Sequence, residues 1–314
     1  MKAIIIEVPG DPEVLKLSEQ PVPEPGKDEV LIQVKAISIN PIDFKTRKGG
    51  GAFGMLKNDD PIILGWDVAG VVIKMGASVV DFEINDEVFG MVNFPGHGRT
   101  YAEYVAAPAS HVALKPSNIS FEEAAATTLA ALTAYQALYT KGNISAEDKV
   151  LIHAAAGGVG HFAVQLARIA GAYVIGTASS KNAEFVLGLG ADEHIDYHGE
   201  DLENKVTGIT LCLDALGGDN IQRSLELMEK GGRLISIPSG KNDTVEEEAN
   251  AYGVVGSVFK VASNGADMKL LAGWLESGKL KPHISAVLAL EEMALAHEKI
   301  ESGRTVGKVV ITVQ

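Results

Sequence analysis

The stretch KVLIHAAAGGVG, residues 149–160, decides the fold. Its apolar run VLI is typical of a strand buried on both faces, and the glycines then lead into HFAVQLARIAG, which has helical period. A strand, a tight turn and a helix are predicted in that order. Such a helix offers backbone N–H groups and the positive end of its dipole to an anion, and glycines let a pyrophosphate approach. The residues of this predicted dinucleotide site are Gly157, Gly158, Val159 and Gly160.

The segments that follow favour this site over an ordinary turn between a strand and a helix. A glycine triplet alone is a weak signal. Here, however, strand-like runs alternate with helical ones, which indicates a doubly wound parallel sheet of Rossmann type. The predicted strands cover 173–177, 194–196, 209–214 and 233–237, with a helix over 182–189. The predicted fold class is therefore α/β.

Composition limits the possible partners. The 314 residues, with 46% hydrophobic and 22% charged side chains, are typical of a globular protein large enough for two domains. The formal net charge of −14 argues against nucleic acid or an anionic membrane as a partner, because both need a basic face. The chain begins MKAIIIEV, without a signal-peptide pattern, and no apolar run is long enough to cross a bilayer. We therefore expect a cytoplasmic protein.

Residues 1 to about 120 are predicted to be mostly β. Short strand-like runs are separated by Pro and Gly turns, which indicates a compact β-rich domain. Asn40 precedes Pro41 at the start of a short helix, and Asp43 follows three residues after Asn40. Asn as N-cap, Pro at the first helical position and a capping-box acid explain this pattern without any catalytic role. The predicted strands cover 2–7, 29–37, 69–75 and 87–90.

Over essentially its full length the chain resembles the medium-chain dehydrogenases/reductases, specifically the zinc-free quinone oxidoreductase and enone reductase branch. The segments that carry the resemblance are NPIDFK (40–45), LGWDVAGVV (64–72), NDEVFG (85–90), YAEYV (101–105), AAATTLAALTAYQAL (124–138), AAAGGVG (154–160), GADEHIDY (190–197) and GRTVGKVVI (303–311). The resemblance implies a Rossmann domain inserted into a β-rich GroES-like substrate domain. The implied boundaries are 1–122 for the substrate domain, 123–260 for the cofactor domain and 261–314 for a segment that completes the substrate domain.

Zinc is not expected. Zinc-dependent members of the family take a Cys from the segment that here reads SINPID, and a His and an acid from a triplet that here reads Gly65, Trp66, Asp67. His153 is the one further candidate ligand near the start of the cofactor domain. Zinc needs several N or S ligands in tetrahedral arrangement, and a chain whose single cysteine is Cys212 offers no such set. His97 and His111 are interpreted as structural histidines.

The residues after the second Rossmann strand favour NADPH over NADH. NAD sites usually place an acid there to hold the ribose 2′-OH. Here Thr177 and Ala178 are followed by two hydroxyls and a lysine, which suit a 2′-phosphate. The resemblance adds Tyr197 and Arg304 at the adenosine end of the cofactor. The alternative interpretation of Lys181 and Arg304 is that each is a solvated surface charge. The predicted contacts are Ser179, Ser180, Lys181, Tyr197 and Arg304.

Without a metal, hydrogen-bond donors must stabilise the negative charge that develops on the substrate carbonyl during hydride transfer. Asn40 and Lys45 are the predicted donors, with the cofactor's ribose hydroxyl and water as further candidates. By resemblance, Asn40 and Thr133 also contact the cofactor, and Thr127 or Thr128 lies near the same nicotinamide side. The alternative for a Thr in a helix is a hydroxyl bonded to its own backbone. Residues Phe44 and Phe53 replace tyrosines found in quinone reductases, so the pocket differs.

The expected function is an NADPH-dependent reductase of quinones or α,β-unsaturated carbonyl compounds. The alternative is an NADPH-binding protein without turnover, because a fold by itself does not establish an activity. The resemblance also implies a homodimer.

Overall fold

The computed structural model describes residues 1–198, 206–238 and 240–313. Within it the chain forms two compact units. The first comprises Met1–Leu132 and Ala262–Gln314, and the second comprises Thr133–Val261. The first boundary between the two units therefore lies between Leu132 and Thr133, inside a helix that begins at Phe121. The sequence predicted this boundary between residues 122 and 123.

The elements have the following bounds. The strands are β1 (Lys2–Ile6), β2 (Lys16–Glu19), β3 (Glu29–Ser38), β4 (Ile62–Ile63), β5 (Asp67–Met75), β6 (Glu87–Met91), β7 (Tyr104–Pro108), β8 (Val112–Leu114), β9 (Lys149–Ile152), β10 (Tyr173–Ala178), β11 (Glu193–Asp196), β12 (Ile209–Asp214), β13 (Met228–Ser236), β14 (Val255–Val258), β15 (Ile284–Ala289) and β16 (Lys308–Thr312). The helices are α1 (Pro41–Arg47), α2 (Phe53–Leu56), α3 (Phe121–Tyr135), α4 (Gly160–Ile169), α5 (Ala183–Gly188), α6 (Asp219–Leu225), α7 (Val245–Ala251), α8 (Gly265–Glu276) and α9 (Met293–Glu301).

The first unit is built on a mixed sheet in the order β15-β16-β3-β5-β6-β8, with β7 also paired to β3. The long strand β3 is its centre because its sequence, EVLIQVKAIS, is apolar at most positions and is buried on both faces towards its end. β16 pairs antiparallel with β3, with Val310 opposite Ser38. This register brings the start of the C-terminal strand beside the end of β3. A smaller antiparallel sheet has the order β2-β1-β4.

The second unit contains, among the described residues, a parallel sheet in the order β11-β10-β9-β12-β13-β14. Numbered within this unit the order is 3-2-1-4-5-6, the doubly wound arrangement in which ligands bind where the strand order reverses. That reversal lies between β9 and β12, so the glycine turn after β9 is at the binding edge. Leu151, Ile175, Cys212 and Leu234 lie in one buried core cluster, as a sheet covered on both faces requires.

The predicted α/β class is confirmed, and the element boundaries show where local patterns were insufficient. β13 begins at Met228, earlier than the predicted 233, because Met228 already pairs with Ile209 of β12; the register then shifts, and Arg233 pairs with Leu211. The last strand of the parallel sheet is Val255–Val258. No helix in the described part of the chain is long and apolar enough to cross a membrane.

Candidate active site

Asn40 is held from three directions inside the first unit. Its side-chain Nδ2 donates to Asp67 Oδ2 at 2.7 Å, and its Oδ1 accepts from Lys308 Nζ at 2.5 Å. Its backbone N–H donates to Asp43 Oδ2 at 2.6 Å, which is one half of the predicted capping box. An ammonium can only donate and a carboxylate can only accept, so these partners allow one orientation of the amide. Asn40 is 1% exposed.

Asp67 joins the ends of three segments. Ser38 Oγ donates to its Oδ2 at 2.5 Å, and the backbone N–H of Leu129 donates to its Oδ1 at 2.8 Å. Lys308 Nζ lies 3.8 Å from Oδ2 and also donates to the carbonyl of Ile39 at 3.0 Å. Lys308 and Asp67 are 3% and 0% exposed, so they form a buried ion pair bridged by Asn40.

Burial also shifts the pKa values of ionisable groups in and near this pair. Desolvation lowers the pKa of Lys308, and the nearby carboxylates of Asp67 and Asp43 oppose that change. Desolvation raises the pKa of Asp43 from 3.8 to about 8, against the effect of the Asn40 N–H that it accepts. At neutral pH Asp43 is therefore largely protonated. A buried neutral acid costs less free energy than a second unpaired carboxylate.

A directional chain of hydrogen bonds runs from Arg47 through His297 to Tyr101. Arg47 Nη1 lies 3.2 Å from His297 Nδ1, and because a guanidinium can only donate, Nδ1 must accept. The proton of the neutral ring is then on Nε2, which donates to the Tyr101 hydroxyl at 3.0 Å. That hydroxyl faces Asp43. Desolvation and the Arg47 charge lower the pKa of His297 to about 3, so the ring stays neutral.

The glycine turn in the second unit leaves no space for a side chain at Gly160. A Cβ on Gly160 would lie 2.1 Å from the carbonyl oxygen of Ala154, so only glycine fits at the start of α4. Ala154 has a φ of 51°, an uncommon backbone conformation for a residue with a side chain. The backbone N–H of Ala155 donates to the carbonyl of Thr177 at 2.9 Å, which ties the turn to β10. The predicted order of strand, tight turn and helix is present, and the contact of this turn with a pyrophosphate stays a prediction.

His153 is a structural residue of this turn. Ser224 Oγ donates to the Asn220 carbonyl at 2.6 Å, so it accepts from His153 Nε2 at 2.9 Å. His153 Nδ1 then accepts from Thr177 Oγ1 at 3.1 Å. Burial lowers the pKa of His153 to about 4. Both ring nitrogens are engaged within the protein, so His153 has no lone pair available for a metal.

The proposed phosphate-binding residues lie at the carboxyl edge of the same sheet. β10 is parallel to β9, with Gly176 opposite Ile152, so Ser179, Ser180 and Lys181 follow the strand next to the glycine turn. Ser180 and Lys181 are exposed, and Tyr197 is 55% exposed. The segment IDYHGED that contains Tyr197 continues into residues 199–201, which lie outside the described residues.

An acid that was not predicted lies at the same edge of the sheet. The end of β10 itself carries no acid, but the neighbouring strand β11 places Asp196 opposite Ala178. The Asp196 carboxylate accepts from the backbone N–H of His198 at 3.0 Å, and this bond keeps the pKa of Asp196 below its usual value. This edge therefore contains the Asp196 carboxylate as well as Lys181.

The other predicted site residues are distributed over both units. Lys45 is half-buried in α1, and Thr133 is a buried residue of α3. Arg304 belongs to the first unit and is exposed. Two threonines in α3 have the alternative structural role: Thr127 and Thr128 donate to the carbonyls of Glu123 and Ala125 at 2.8 and 2.9 Å.

The positions that hold zinc in zinc-dependent relatives have other functions here. Trp66 replaces the histidine, and its Nε1 donates to the Gly96 carbonyl at 2.7 Å, so it cannot bind a metal. His111 Nδ1 accepts from the Asn93 N–H at 3.1 Å, and His97 Nδ1 contacts Asp59 at 2.7 Å. In the described residues no group of three or more His, Cys, Asp or Glu is arranged to hold a metal ion.

Known proteins resemble this chain over its full length. Residues 26–117 match the alcohol dehydrogenase GroES-like domain, and residues 189–311 match the family described as zinc-binding dehydrogenase. The NADPH-dependent alkenal/one oxidoreductase of Arabidopsis thaliana chloroplasts is 36% identical, over 99% of this chain and 79% of its own. The quinone oxidoreductase of Coxiella burnetii superposes with a TM-score of 0.95 at 40% identity, over 100% of this chain and 99% of its own.

The chain belongs to the medium-chain dehydrogenase/reductase family. A further solved structure of a protein named NAD-dependent alcohol dehydrogenase is 34% identical with a TM-score of 0.89, and each chain is covered completely. The family includes similar proteins named for different cofactors and substrates. The residues of this member must therefore distinguish between them.

Two residues of this dehydrogenase/reductase were missed by sequence reasoning. Lys308 begins an otherwise apolar strand, KVVIT, and a cation in such a position is a signal that could have identified it. Asp196 ends β11, and the predicted parallel order of strands would have placed that end beside the end of β10. In both cases the partner is distant in sequence.

We expect Lys308→Met to destabilise the protein by about 3–5 kcal/mol, because it leaves the Asp67 carboxylate buried without its cation. The matched control is Lys74→Met, whose ion pair with Glu24 is exposed, and there we expect less than about 1 kcal/mol. Urea unfolding followed by circular dichroism measures both. Equal effects of the two substitutions would contradict the role of Lys308.

The pKa of Asp43 gives a pH dependence with a definite sign. A folded pKa of about 8 against 3.8 means that the native state binds the proton more tightly. The stabilisation by Asp43 is then complete below pH 4 and is lost as the pH rises towards 8. Asn at this position does not titrate, so wild type should lose stability relative to Asp43→Asn across this range. Unfolding midpoints at several pH values test this, with the exposed Asp81→Asn as the control; a constant difference would contradict it.

Proposed function

We propose that this protein is an NADPH-dependent reductase that transfers hydride to quinones or α,β-unsaturated carbonyl compounds without zinc. The observation that carries the proposal is the pairing of the glycine turn with Ser179, Ser180 and Lys181 at one edge of the parallel sheet. The Arabidopsis relative is named NADPH-dependent and acts on alkenals and enones by its name, and the Coxiella protein is named a quinone oxidoreductase. These names support the reaction class.

The residues fit the cofactor. The turn before α4 has no side chain where Gly160 approaches Ala154, which suits close contact with a pyrophosphate. Two serine hydroxyls and the Lys181 ammonium suit a 2′-phosphate, and the exposed Tyr197 follows β11 at the same edge. NADPH, when bound, supplies the hydride from its nicotinamide. The chain's task is to hold the substrate carbonyl where negative charge can be stabilised.

Hydrogen-bond donors of the protein are the groups we assign to that task. Asn40 Nδ2 donates to Asp67 Oδ2 at 2.7 Å and, over a longer distance of 3.5 Å, to the Ser38 carbonyl. The hydrogen of the longer bond is the donor we assign to substrate or cofactor, which would take the place of the Ser38 carbonyl as its acceptor. Because Lys308 and Asp67 fix the amide, this donor is preorganised and needs no reorientation during the reaction. Lys45 supplies a positive charge, and Thr133 a hydroxyl towards the nicotinamide. Water supplies the proton.

Turnover with NADPH and a panel of enones and quinones tests the proposal. Loss of the reduced-nicotinamide absorbance is the readout, and cofactor binding is measured separately by calorimetry. Oxidation of NADPH before and after dialysis against a chelator is the expected result. Tight NADPH binding with no turnover on any acceptor would favour a binding protein, and activity that is lost on chelation and restored by zinc would overturn the metal-free mechanism.

We expect Lys181→Ala to weaken NADPH binding about ten- to a hundredfold and to leave NADH binding nearly unchanged, because only NADPH carries the 2′-phosphate. Lys230→Ala is the matched control, since Lys230 is an exposed lysine in the amino-terminal half of β13, at the opposite edge of the sheet. Calorimetry with both cofactors measures the effect. Equal losses for NADPH and NADH would show that Lys181 does not contact the phosphate.

Lys45→Met keeps the side-chain length and removes the charge. If Lys45 donates to the developing enolate, the rate of hydride transfer should fall about 10²–10³-fold, with a smaller change in substrate binding. A lysine that only covers apolar surface predicts a change of a few fold. Single-turnover kinetics distinguish these outcomes, with Lys48→Met, at the exposed C-cap of the same helix, as the control. An unchanged rate would leave Asn40, the cofactor ribose and water as the polarising groups.

A cytoplasmic homodimer is the assembly that we propose. The edge strand β14 exposes Val255 and Val258 to 60% and 38%, which suits strand pairing with a second copy. Cys212 is buried and unpaired, which is compatible with a reducing compartment.

A further inference from the structure

Asn182 stands at the N-cap of α5, but its side chain does not cap that helix. Asparagine is favoured at an N-cap because its side-chain oxygen accepts from a backbone N–H of the first turn. Here the Nδ2 of Asn182 instead donates to Ser179 Oγ at 3.2 Å. The backbone N–H of Asn182 donates to the Ser179 carbonyl at 2.9 Å, which closes the turn between the two residues. The usual role of an N-cap asparagine therefore does not account for this side chain.

Ser179 is the first residue after β10, at the carboxyl edge of the parallel sheet. It lies about 20 residues after the glycine turn, where NAD sites place the acid that holds the ribose 2′-OH. Ser179 is also the N-cap of a short 3₁₀ turn, Ser180–Asn182, and its hydroxyl caps no backbone N–H of that turn. In the described part of the chain, Ser179 Oγ accepts from Asn182 and donates its own proton to no protein group.

The bond from Asn182 gives the Ser179 hydroxyl a direction. The NH₂ group of an amide can only donate, so Ser179 Oγ accepts on that side and its proton is directed elsewhere. Accepting this bond also makes the hydroxyl a better donor, because consecutive hydrogen bonds polarise each other. A 2′-phosphate presents only acceptor oxygens, whereas a ribose 2′-OH can both donate and accept. A hydroxyl held as a donor therefore suits the phosphate more than the 2′-OH.

We propose that Asn182 is a positioning residue for cofactor specificity: it holds the Ser179 hydroxyl as a donor to the 2′-phosphate and thereby favours NADPH over NADH. The proposal rests on the proposed function, because Ser179 is one of the groups assigned there to the phosphate. Asn182 acts through Ser179 and does not itself contact the cofactor. The exposed Lys181 supplies the positive charge independently of this bond.

A purely structural role for the Asn182 side chain makes a different prediction. If the side chain only ordered the turn after β10, its loss would loosen the backbone at this edge for every nucleotide. Nucleotides with and without a 2′-phosphate would then lose affinity equally. An asparagine that orients Ser179 affects only the nucleotide that carries the phosphate. The two roles are therefore separated by whether the loss depends on the phosphate.

The first test compares Asn182→Ala with wild type, using 2′,5′-ADP and ADP as probes in calorimetric titrations. We expect about three- to tenfold weaker binding of 2′,5′-ADP, which corresponds to one hydrogen bond, and binding of ADP within about twofold of wild type. The matched control is Asn250→Ala, at an exposed position of α7, where neither probe should change. Unchanged binding of 2′,5′-ADP in Asn182→Ala, or equal weakening of both probes, would overturn the proposal.

Asn182→Asp reverses the bond, because a carboxylate can only accept and would take the Ser179 proton. The new charge also repels the phosphate, and high salt screens that repulsion. Relative to wild type at the same salt concentration, we expect Asn182→Asp to bind 2′,5′-ADP no better than Asn182→Ala does, even at high salt. Asp is as good an N-cap as Asn, so a capping role alone predicts recovery to wild-type affinity at high salt. Such a recovery would contradict the proposal.

A double-mutant cycle tests whether Asn182 acts through Ser179. In a Ser179→Ala background there is no hydroxyl to orient, so Asn182→Ala should change the binding of 2′,5′-ADP by less than about twofold. Equal losses in both backgrounds would show that Asn182 does not act through Ser179. Wild type that neither binds 2′,5′-ADP nor oxidises NADPH would mean that the proposed function has failed. Wild type that does both, with Asn182 variants identical to it, would mean that only this inference has failed.

Discussion

The buried ion pair of Lys308 and Asp67, joined through the Asn40 amide, is the interaction on which the first unit depends. Taking two charges out of water costs several kcal/mol each, so such a pair contributes little net stability compared with apolar residues of the same volume. The pair does restrict how the chain can fold, because a fold that buried either charge without the other would be strongly unfavourable. The pair forms only when β16 and β5 both lie beside β3 in register, with Val310 opposite Ser38 and Ala69 opposite Ala36. The sheet and the orientation of Asn40 are therefore determined together.

The second unit reaches its site by a different route. The turn before α4 needs no distant partner to take its shape, since the requirement is the absence of a side chain at Gly160. The strand before it is buried because its residues are apolar, and the order of parallel strands then brings the turn to the binding edge. In this unit the local sequence pattern almost determines the final geometry. In the first unit the geometry arises from residues that are far apart along the chain.

This difference explains what could be predicted from the sequence. The glycine turn, the strands of the parallel sheet and the cap at Asn40 were predictable because their causes lie within a few residues. The direction of the Asn40 amide was not, because Lys308, which determines it, lies 268 residues away. The bond from His153 to Ser224, across 71 residues, was equally hidden. The catalytic roles of Asn40, Lys45 and Thr133 stay predictions, since they concern substrate and cofactor.

Asp67 and Asp196 show that the role of an acid depends on its partners more than on its motif. Asp67 follows Trp66 where relatives carry metal ligands, yet its oxygens are occupied by Ser38, Asn40 and Leu129, and Lys308 provides the opposite charge. The absence of an acid at the end of β10 suggested free access for a 2′-phosphate. In a parallel sheet, however, the neighbouring strand ends at the same edge, and it places Asp196 opposite Ala178. Cofactor preference in such a sheet therefore depends on the side chains at the ends of two adjacent strands, and the charges at both ends must be considered together.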